Sequence, residues 1–272
     1  MVSHFKKGIT MPRWDYEKDI DYNKINKENI KDNEFLFTIL TIASFIEITS
    51  YIYDKNLSLF FKGEEQVVSW LNNTWEIEET QHGKALKKYI NCVWPEFDYQ
   101  EAYERFRKSY LPLCKVEALE DSKAKEMLAR MVVETGTSTA YQAIAHYAKD
   151  LNEPVLEHLA KLISKDEVYH YEKFEELFKY YKKQEQLSST DIIKLLYKRA
   201  KEINSEDIKI AYEALERKQG YQEYMKEVQK FAKKYYPYKM AIKMFMRPLG
   251  LSKFTETIVA NSISPIFKVL GI

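Results

Sequence analysis

The chain has 272 residues, of which 45% are hydrophobic, and its formal net charge at pH 7 is +1. A chain of this length can bury a large core as one domain, or as a domain with an appendage. The near-zero charge argues against a strongly basic nucleic-acid-binding protein, so no nucleic-acid partner is expected. Only seven Gly and seven Pro occur, and long stretches have 3.6-residue periodicity, which together predict an all-α fold.

Cysteine usage and hydropathy bear on the compartment. Cys92 and Cys114 are the only cysteines, they are far apart, and we expect both to be reduced. The first residues lack the apolar segment of a secretory leader. The longest apolar run is interrupted by Thr, Ser and Glu47, and falls short of the roughly 20 residues that cross a bilayer. The sequence therefore predicts a cytoplasmic protein with no membrane span.

The first half of the chain is predicted to hold two core helices. A polar N-terminal arm, residues 1–32, precedes them. The first core helix is expected from about Asn33 to Asp54, and a break follows at Lys62-Gly63. The second is expected from about Glu64 to Val93, where Pro95 stops it, and a shorter connecting helix covers 99–109.

Two further core helices follow. The third is predicted over about 119–149, and the fourth starts near Pro154 and runs to about Lys183, because proline is well tolerated in a first helical turn. Short, long and short connections predict two antiparallel helix pairs joined by a crossover, in a bundle of residues 33–187. Residues 188–272 are predicted to form additional C-terminal helices that pack on the bundle.

One short motif occurs twice in these helices, as Glu79-x-x-His82 and Glu167-x-x-His170. Residues three apart share one face of a helix, so each pair can present a carboxylate and an imidazole to the same metal ion. Each motif is preceded by a second acid, Glu78 or Asp166, which is a candidate for orienting an imidazole; a solvated helix face is the alternative.

Each motif is accompanied by a lone glutamate on the preceding core helix. Glu47 is the only charge between Phe35 and Tyr53, and a buried carboxylate costs several kcal/mol unless it is paired or bound to a cation. Glu134 lies in the third core helix, with Met131 and Thr137 in its own turn.

The order Glu, Glu-x-x-His, Glu, Glu-x-x-His on four helices is typical of ferritin-like di-iron carboxylate proteins. We therefore predict a ferritin-like four-helix bundle that binds two iron ions. Glu79 and Glu167 are assigned as bridging ligands, Glu47 and Glu134 as terminal ligands, and His82 and His170 as one ligand to each iron. Four carboxylates balance the charge of two ferrous ions.

A basic stretch lies near the C-terminus. Between Val228 and Thr255 the chain has seven cationic side chains and no acid: Lys230, Lys233, Lys234, Lys239, Lys243, Arg247 and Lys253. Both a solvated face and a site for an acidic partner fit this pattern.

Several of these segments resemble one enzyme family. Trp75-x-x-Glu78-Glu79-x-x-His82-Gly83 resembles the first metal-binding box of the soluble acyl-ACP desaturases of the stearoyl-ACP desaturase type. Asp166-Glu167-x-x-His170-x-Glu172 resembles the second box, with one residue inserted before the last acid, and Glu134-x-x-Thr137 resembles the third-helix motif. The resemblance covers about residues 35–183.

This resemblance implies an oxygen-dependent desaturase that acts on a fatty acyl chain carried by acyl carrier protein. It also implies ferredoxin as the electron donor, a homodimer, and a role for Thr137 in handling protons at the oxygen side of the cluster. The basic stretch would suit the acidic carrier protein. Residues after about Ser188 match no motif of that family.

Other functions also fit these residues. Another di-iron hydroxylase or oxidase, acting on tRNA or a small molecule, has the same ligands. An iron-storage or oxidant-scavenging protein of ferritin type is the alternative that is not an enzyme. A purely structural helical protein is a third alternative, and it would bind no iron.

Overall fold

The computed structural model of the protein describes residues 14–201 and 206–270, and these contain helices but no strand. The prediction of an all-α fold is therefore confirmed. The described residues form these α-helices: α1 (Glu34–Thr49), α2 (Tyr51–Phe60), α3 (Glu65–Trp70), α4 (Glu76–Val93), α5 (Tyr99–Tyr110), α6 (Lys123–Asp150), α7 (Pro154–Gln184), α8 (Ser189–Lys201), α9 (Glu206–Ala214), α10 (Tyr221–Tyr235), α11 (Tyr238–Met246) and α12 (Lys253–Leu270).

The chain forms two compact units. Unit 1 comprises the described residues up to Leu119, together with Glu206–Lys218. Unit 2 begins at Glu120 and contains the described residues to 201 and those from Gln219 onwards. The predicted boundaries after residues 32 and 187 stay a prediction. Residues 1–13 of the arm, and residues 202–205 within the predicted C-terminal helices, lie outside the described residues.

The core of unit 1 is the antiparallel pair α1 and α4. The Asn33 side chain caps α1 by accepting a hydrogen bond from the Leu36 N–H at 2.9 Å. Phe37, near the start of α1, packs edge-on against Trp94, just after the end of α4. Ser44, further along α1, donates to the Gly83 carbonyl in the middle of α4 at 2.7 Å. The two helices therefore run in opposite directions.

The first core helix differs from its predicted bounds. It ends at Thr49, and α2 continues the helical path to Phe60. At the junction the Ser50 N–H bonds to the Glu47 carbonyl, three residues back instead of four, which tightens the turn. Gly63 then adopts a φ of 95°, which glycine tolerates, and this confirms the predicted break.

The second core helix is divided as well. A π-helical turn, Leu71–Trp75, separates α3 from α4. Such turns insert an extra residue into the helical repeat and are frequent at functional sites. The turn lies directly before the first Glu-x-x-His motif, so it changes the helix face on which the residues before and after it lie.

Gly83 allows α1 and α4 to approach each other closely. A methyl group on Gly83 would lie 2.5 Å from the Ile48 amide nitrogen, closer still to the Ile48 side chain, and 3.0 Å from the Ser44 carbonyl oxygen. Because the Ser44 hydroxyl donates its proton to the Gly83 carbonyl, it must accept from the Tyr99 hydroxyl, which lies 2.7 Å away. This buried relay links α1, α4 and α5.

The described part of the arm lies on unit 1. Trp14, Ile20 and Ile30 are buried, and the Trp94 indole donates to the Lys31 carbonyl at 2.8 Å. The described residues of the arm therefore form a strap on the protein surface.

The core of unit 2 is the antiparallel hairpin of α6 and α7. The Ser122 hydroxyl caps α6, so the helix starts at Lys123 and not at the predicted Leu119. Pro154 is the first residue of α7, as predicted, and the Glu153 carboxylate caps it by accepting from the Val155 and Leu156 amides. On the same unit, Glu120 pairs with Lys198 of α8 at 2.9 Å.

One helical stretch of the described residues, Glu34–Phe60, is long and apolar enough to cross a membrane by length and composition alone. The apolar run was expected to be too short to cross a bilayer, and the length of this helical stretch differs from that expectation. In its most apolar window, 61% of the residues are buried inside the protein. A core helix passes the same test, so the stretch is weak evidence for a span.

The close approach at Gly83 gives a first prediction. Gly83→Ala should destabilise the protein by about 2 kcal/mol, because backbone atoms of α1 must move to admit the methyl group. Gly136 on α6 is the matched control, since a methyl group there meets no atom within 4 Å. Urea unfolding of both variants measures the difference, and equal stability of Gly83→Ala and wild type would contradict this packing.

Asp54 gives a second prediction, for pH. Burial, and then the nearby Glu76 carboxylate, raise the pKa of Asp54 to about 6 from 3.8. The folded state thus retains a proton that the unfolded state has lost, so the contribution of Asp54 to stability falls as pH rises from about 4 to about 6. The Asp54→Asn variant has no carboxyl group at this position, so its stability does not fall for this reason as the pH rises. Its stability relative to wild type should rise by on the order of 2 kcal/mol between pH 4 and 6.5 in urea titrations, and a constant difference would contradict the pKa.

Candidate metal centre

Unit 1 holds a buried triad of two carboxylates and one imidazole: Glu47 of α1, with Glu79 and His82 of α4. No member exposes more than 7% of its surface. One ligand atom from each lies within 4.8 Å of the others. The His82 Nδ1 is 4.0 Å from the Glu47 Oε2.

The fold of unit 1 explains how these side chains meet. Glu79 and His82 are three residues apart, so they share a face of α4. The antiparallel course of α1 and its close approach at Gly83 bring Glu47 to that face. Trp14 lies nearly parallel to the His82 ring, with 6.1 Å between ring centroids and 10° between planes. The indole therefore packs beside the imidazole in an offset-stacked arrangement.

Unit 2 holds a second buried triad of the same composition: Glu134 of α6, with Glu167 and His170 of α7. One ligand atom from each again lies within 4.8 Å of the others. The His170 Nδ1 lies 3.9 Å from the Glu134 Oε2 and 3.7 Å from the Glu167 Oε2.

Thr137 reaches this second triad. Its hydroxyl lies 2.9 Å from the Glu167 Oε2, and 3.3 and 3.4 Å from the carbonyl oxygens of Val133 and Glu134. A helical threonine commonly bonds back to a carbonyl of its own helix. Here the shortest bond is to the carboxylate, so Thr137 helps to orient a residue of the triad.

The residues present fit a metal ion in each triad. Two donor atoms that are each about 2 Å from one ion lie roughly 3–4 Å apart, which matches the distances from the imidazole to the carboxylates. Burying two carboxylates costs several kcal/mol unless positive charge is close. A protonated imidazole supplies one charge for two carboxylates, whereas one divalent cation balances both.

Other candidate residues differ from the triads. Glu78 is buried and Asp166 is partly exposed; their role in orienting the imidazoles stays a prediction. His146 lies 3.1 Å from the Tyr235 carbonyl and is exposed, and His158 is also exposed. Neither belongs to a triad, and neither has a glutamate three residues before it.

Sequence reasoning missed Trp14 and the relay from Tyr99 through Ser44. Trp14 belongs to a segment interpreted as a polar arm. Further apolar residues of this segment occur at Ile20, Tyr22 and Ile25. Their recurrence was the sequence signal that the segment packs against the protein. No local sequence pattern indicates the hydrogen bond between Ser44 and Tyr99, because the two residues are 55 positions apart.

Comparison with known proteins gives one match. The family model described as fatty acid desaturase matches residues 60–204, which is 145 of the 272 residues. The chain belongs to this fatty acid desaturase family, and its chemistry is the oxidation of fatty acyl chains to unsaturated ones. No curated protein and no solved structure matches the chain.

This match corrects the resemblance drawn from the motifs. That resemblance placed the chain with the stearoyl-ACP type of the ferritin-like superfamily over residues 35–183. The family match runs instead from 60 to 204, and no other comparison supports the narrower assignment. The helix that bears Glu47 lies outside the match, while the other five triad residues lie inside it.

The triads give a third prediction, for metal binding. His82→Ala and His170→Ala should each lower the bound ferrous iron by about one ion per chain, because each removes one of three ligands from one triad. His158→Ala is the matched control and should retain all the iron. Anaerobic ferrous titration measures the stoichiometry, and circular dichroism should show retained helices in all three variants. Wild-type protein that stays iron-free would contradict the metal sites.

Proposed function

We propose that the chain is an oxygen-dependent di-iron desaturase that inserts a double bond into a fatty acyl chain carried by acyl carrier protein. Reduced ferredoxin supplies the electrons. The observation that carries the proposal is the repeated buried triad in a member of the fatty acid desaturase family.

The proposed ligand set divides six residues between two iron ions. Glu47, Glu79 and His82 would hold one iron, and Glu134, Glu167 and His170 would hold the other. Carboxylates with few imidazoles favour iron that must reach a higher oxidation state. The four carboxylates balance two ferrous ions, so the buried site is close to neutral.

Bound iron would supply the electrons and the coordination sites for reducing dioxygen while two adjacent methylene groups each lose a hydrogen. The protein's own residues have the remaining tasks. Each helix pair holds a triad in place, so the ligands need little reorganisation when the metal binds. Burial of the triads excludes bulk water, which would otherwise supply protons without control.

Thr137 is proposed to hold a proton at the Glu167 carboxylate and to help manage protons during oxygen reduction. Its hydroxyl donates to the Glu167 Oε2 at 2.9 Å, and a hydroxyl can also accept a proton from another donor. A valine of the same shape lacks both abilities.

Charge supports an acidic carrier as the partner that brings the acyl chain. Lys230 and Lys233 on α10 are exposed, and no acid lies between Val228 and Thr255. A cationic surface of this kind attracts an acidic protein and speeds its association. We also propose a homodimer located in the cytoplasm.

A coupled enzyme assay tests the proposed desaturation of acyl chains, which is the fourth prediction. Purified protein loaded with ferrous iron is given ferredoxin, a ferredoxin reductase, and acyl carrier proteins bearing acyl chains of different lengths. Mass spectrometry should show a product that has lost two hydrogens. No unsaturated product from any chain length would overturn the proposed carrier substrate, and a hydroxylated product would indicate a hydroxylase.

Thr137 variants sharpen the same assay. Thr137→Val should lower the ratio of product formed to oxygen consumed by about ten-fold, since proton handling at Glu167 is lost. Thr137→Ser keeps the hydroxyl and should retain most of the coupling. Equal ratios for the valine and serine variants would show that the hydroxyl has no such role.

A further inference from the structure

Helix α12 carries an apolar stripe on its solvent side. Phe254, Ile258, Ile266 and Val269 lie along one side of the helix and are between 49% and 76% exposed. With Phe267, α12 contributes five of the twelve exposed large apolar side chains found in the described residues. Such clustering marks an interaction surface, whereas single exposed apolar residues need no explanation.

The opposite side of α12 is already occupied. Glu256, Ala260 and Ser264 are buried, and α12 packs on α10 and α11 of the same unit. One face of α12 therefore packs against the rest of unit 2. The apolar stripe lies on the opposite, outward face of the helix.

The charge around the stripe is one-sided. Lys253 and Lys268 of α12 are exposed, while Glu256, the only acid on the helix, is buried. Residues 219–270 contain nine lysines and arginines and three acids, a net charge of +6, although the whole chain has a net charge of +1.

We propose that α12 binds the surface of an anionic lipid bilayer. An apolar helix face inserts at the boundary between headgroups and acyl chains, and flanking cations are attracted to anionic headgroups. Within the described residues, α12 does not have the length and apolar composition of a membrane-crossing helix. It would therefore lie in the plane of the membrane interface. This proposal goes beyond desaturation and does not depend on it.

The same charges disfavour a second copy of the chain as the occupant. Two stripes packed antiparallel would place Lys253 of one copy near Lys268 of the other, and parallel packing would pair identical lysines. No exposed acid on α12 is available to neutralise them. An anionic surface neutralises both lysines in any orientation along the helix.

Vesicle sedimentation tests the proposed binding of α12 to an anionic bilayer. The full-length protein should pellet with vesicles that contain about 30% phosphatidylglycerol, and much less with vesicles of phosphatidylcholine alone. The double variant Ile266→Ser with Val269→Ser should lower the bound fraction by about ten-fold. Ile193→Ser with Tyr197→Ser on α8 is the matched control, because these side chains are also one turn apart and similarly exposed.

Three outcomes would overturn the proposal. One is a wild-type protein that does not pellet with either vesicle. Another is equal pelleting of the α12 variant and the α8 control. The third is a wild-type dimer without vesicle binding that becomes a monomer in the α12 variant, which would identify a second copy as the occupant. The α12 variant should keep wild-type activity on soluble acyl carrier proteins, so failure here is distinguishable from failure of the proposed desaturase.

Discussion

Carboxylates buried inside helix pairs are the constraint on which the rest of the structure depends. Glu47 and Glu79 are shielded from water in one pair, and Glu134 and Glu167 in the other. A buried carboxylate is costly unless a cation is close, and two of them beside a single imidazole require more positive charge than that imidazole can supply. A divalent metal ion held by two carboxylates and one imidazole would satisfy this need in each unit.

The surrounding side chains hold the triads in place. In unit 1, Gly83 permits the close approach of α1, and the relay from Tyr99 through Ser44 fixes the carbonyl beside His82. In unit 2, the uninterrupted hairpin of α6 and α7 sets the register, and Thr137 bonds to Glu167. Precise placement of metal ligands depends on such supporting contacts as much as on the ligands themselves.

The sequence predicted the helices and the triad residues, because both depend on spacing along a single helix. Glu-x-x-His reports a shared face directly, and Glu47 was conspicuous as the only charge in an apolar stretch. The turn at Ser50 and the π-helical turn at 71–75 were not predictable, since packing against other helices determines them. The position of Trp14 against His82 also depends on tertiary contacts alone.

Diffraction at the iron absorption edge tests the central claim most directly. Crystals of the protein loaded with ferrous iron without oxygen would be measured just above and just below the edge. Two anomalous peaks are predicted, one beside His82 and the other beside His170. A single peak, or iron bound away from both triads, would contradict the account.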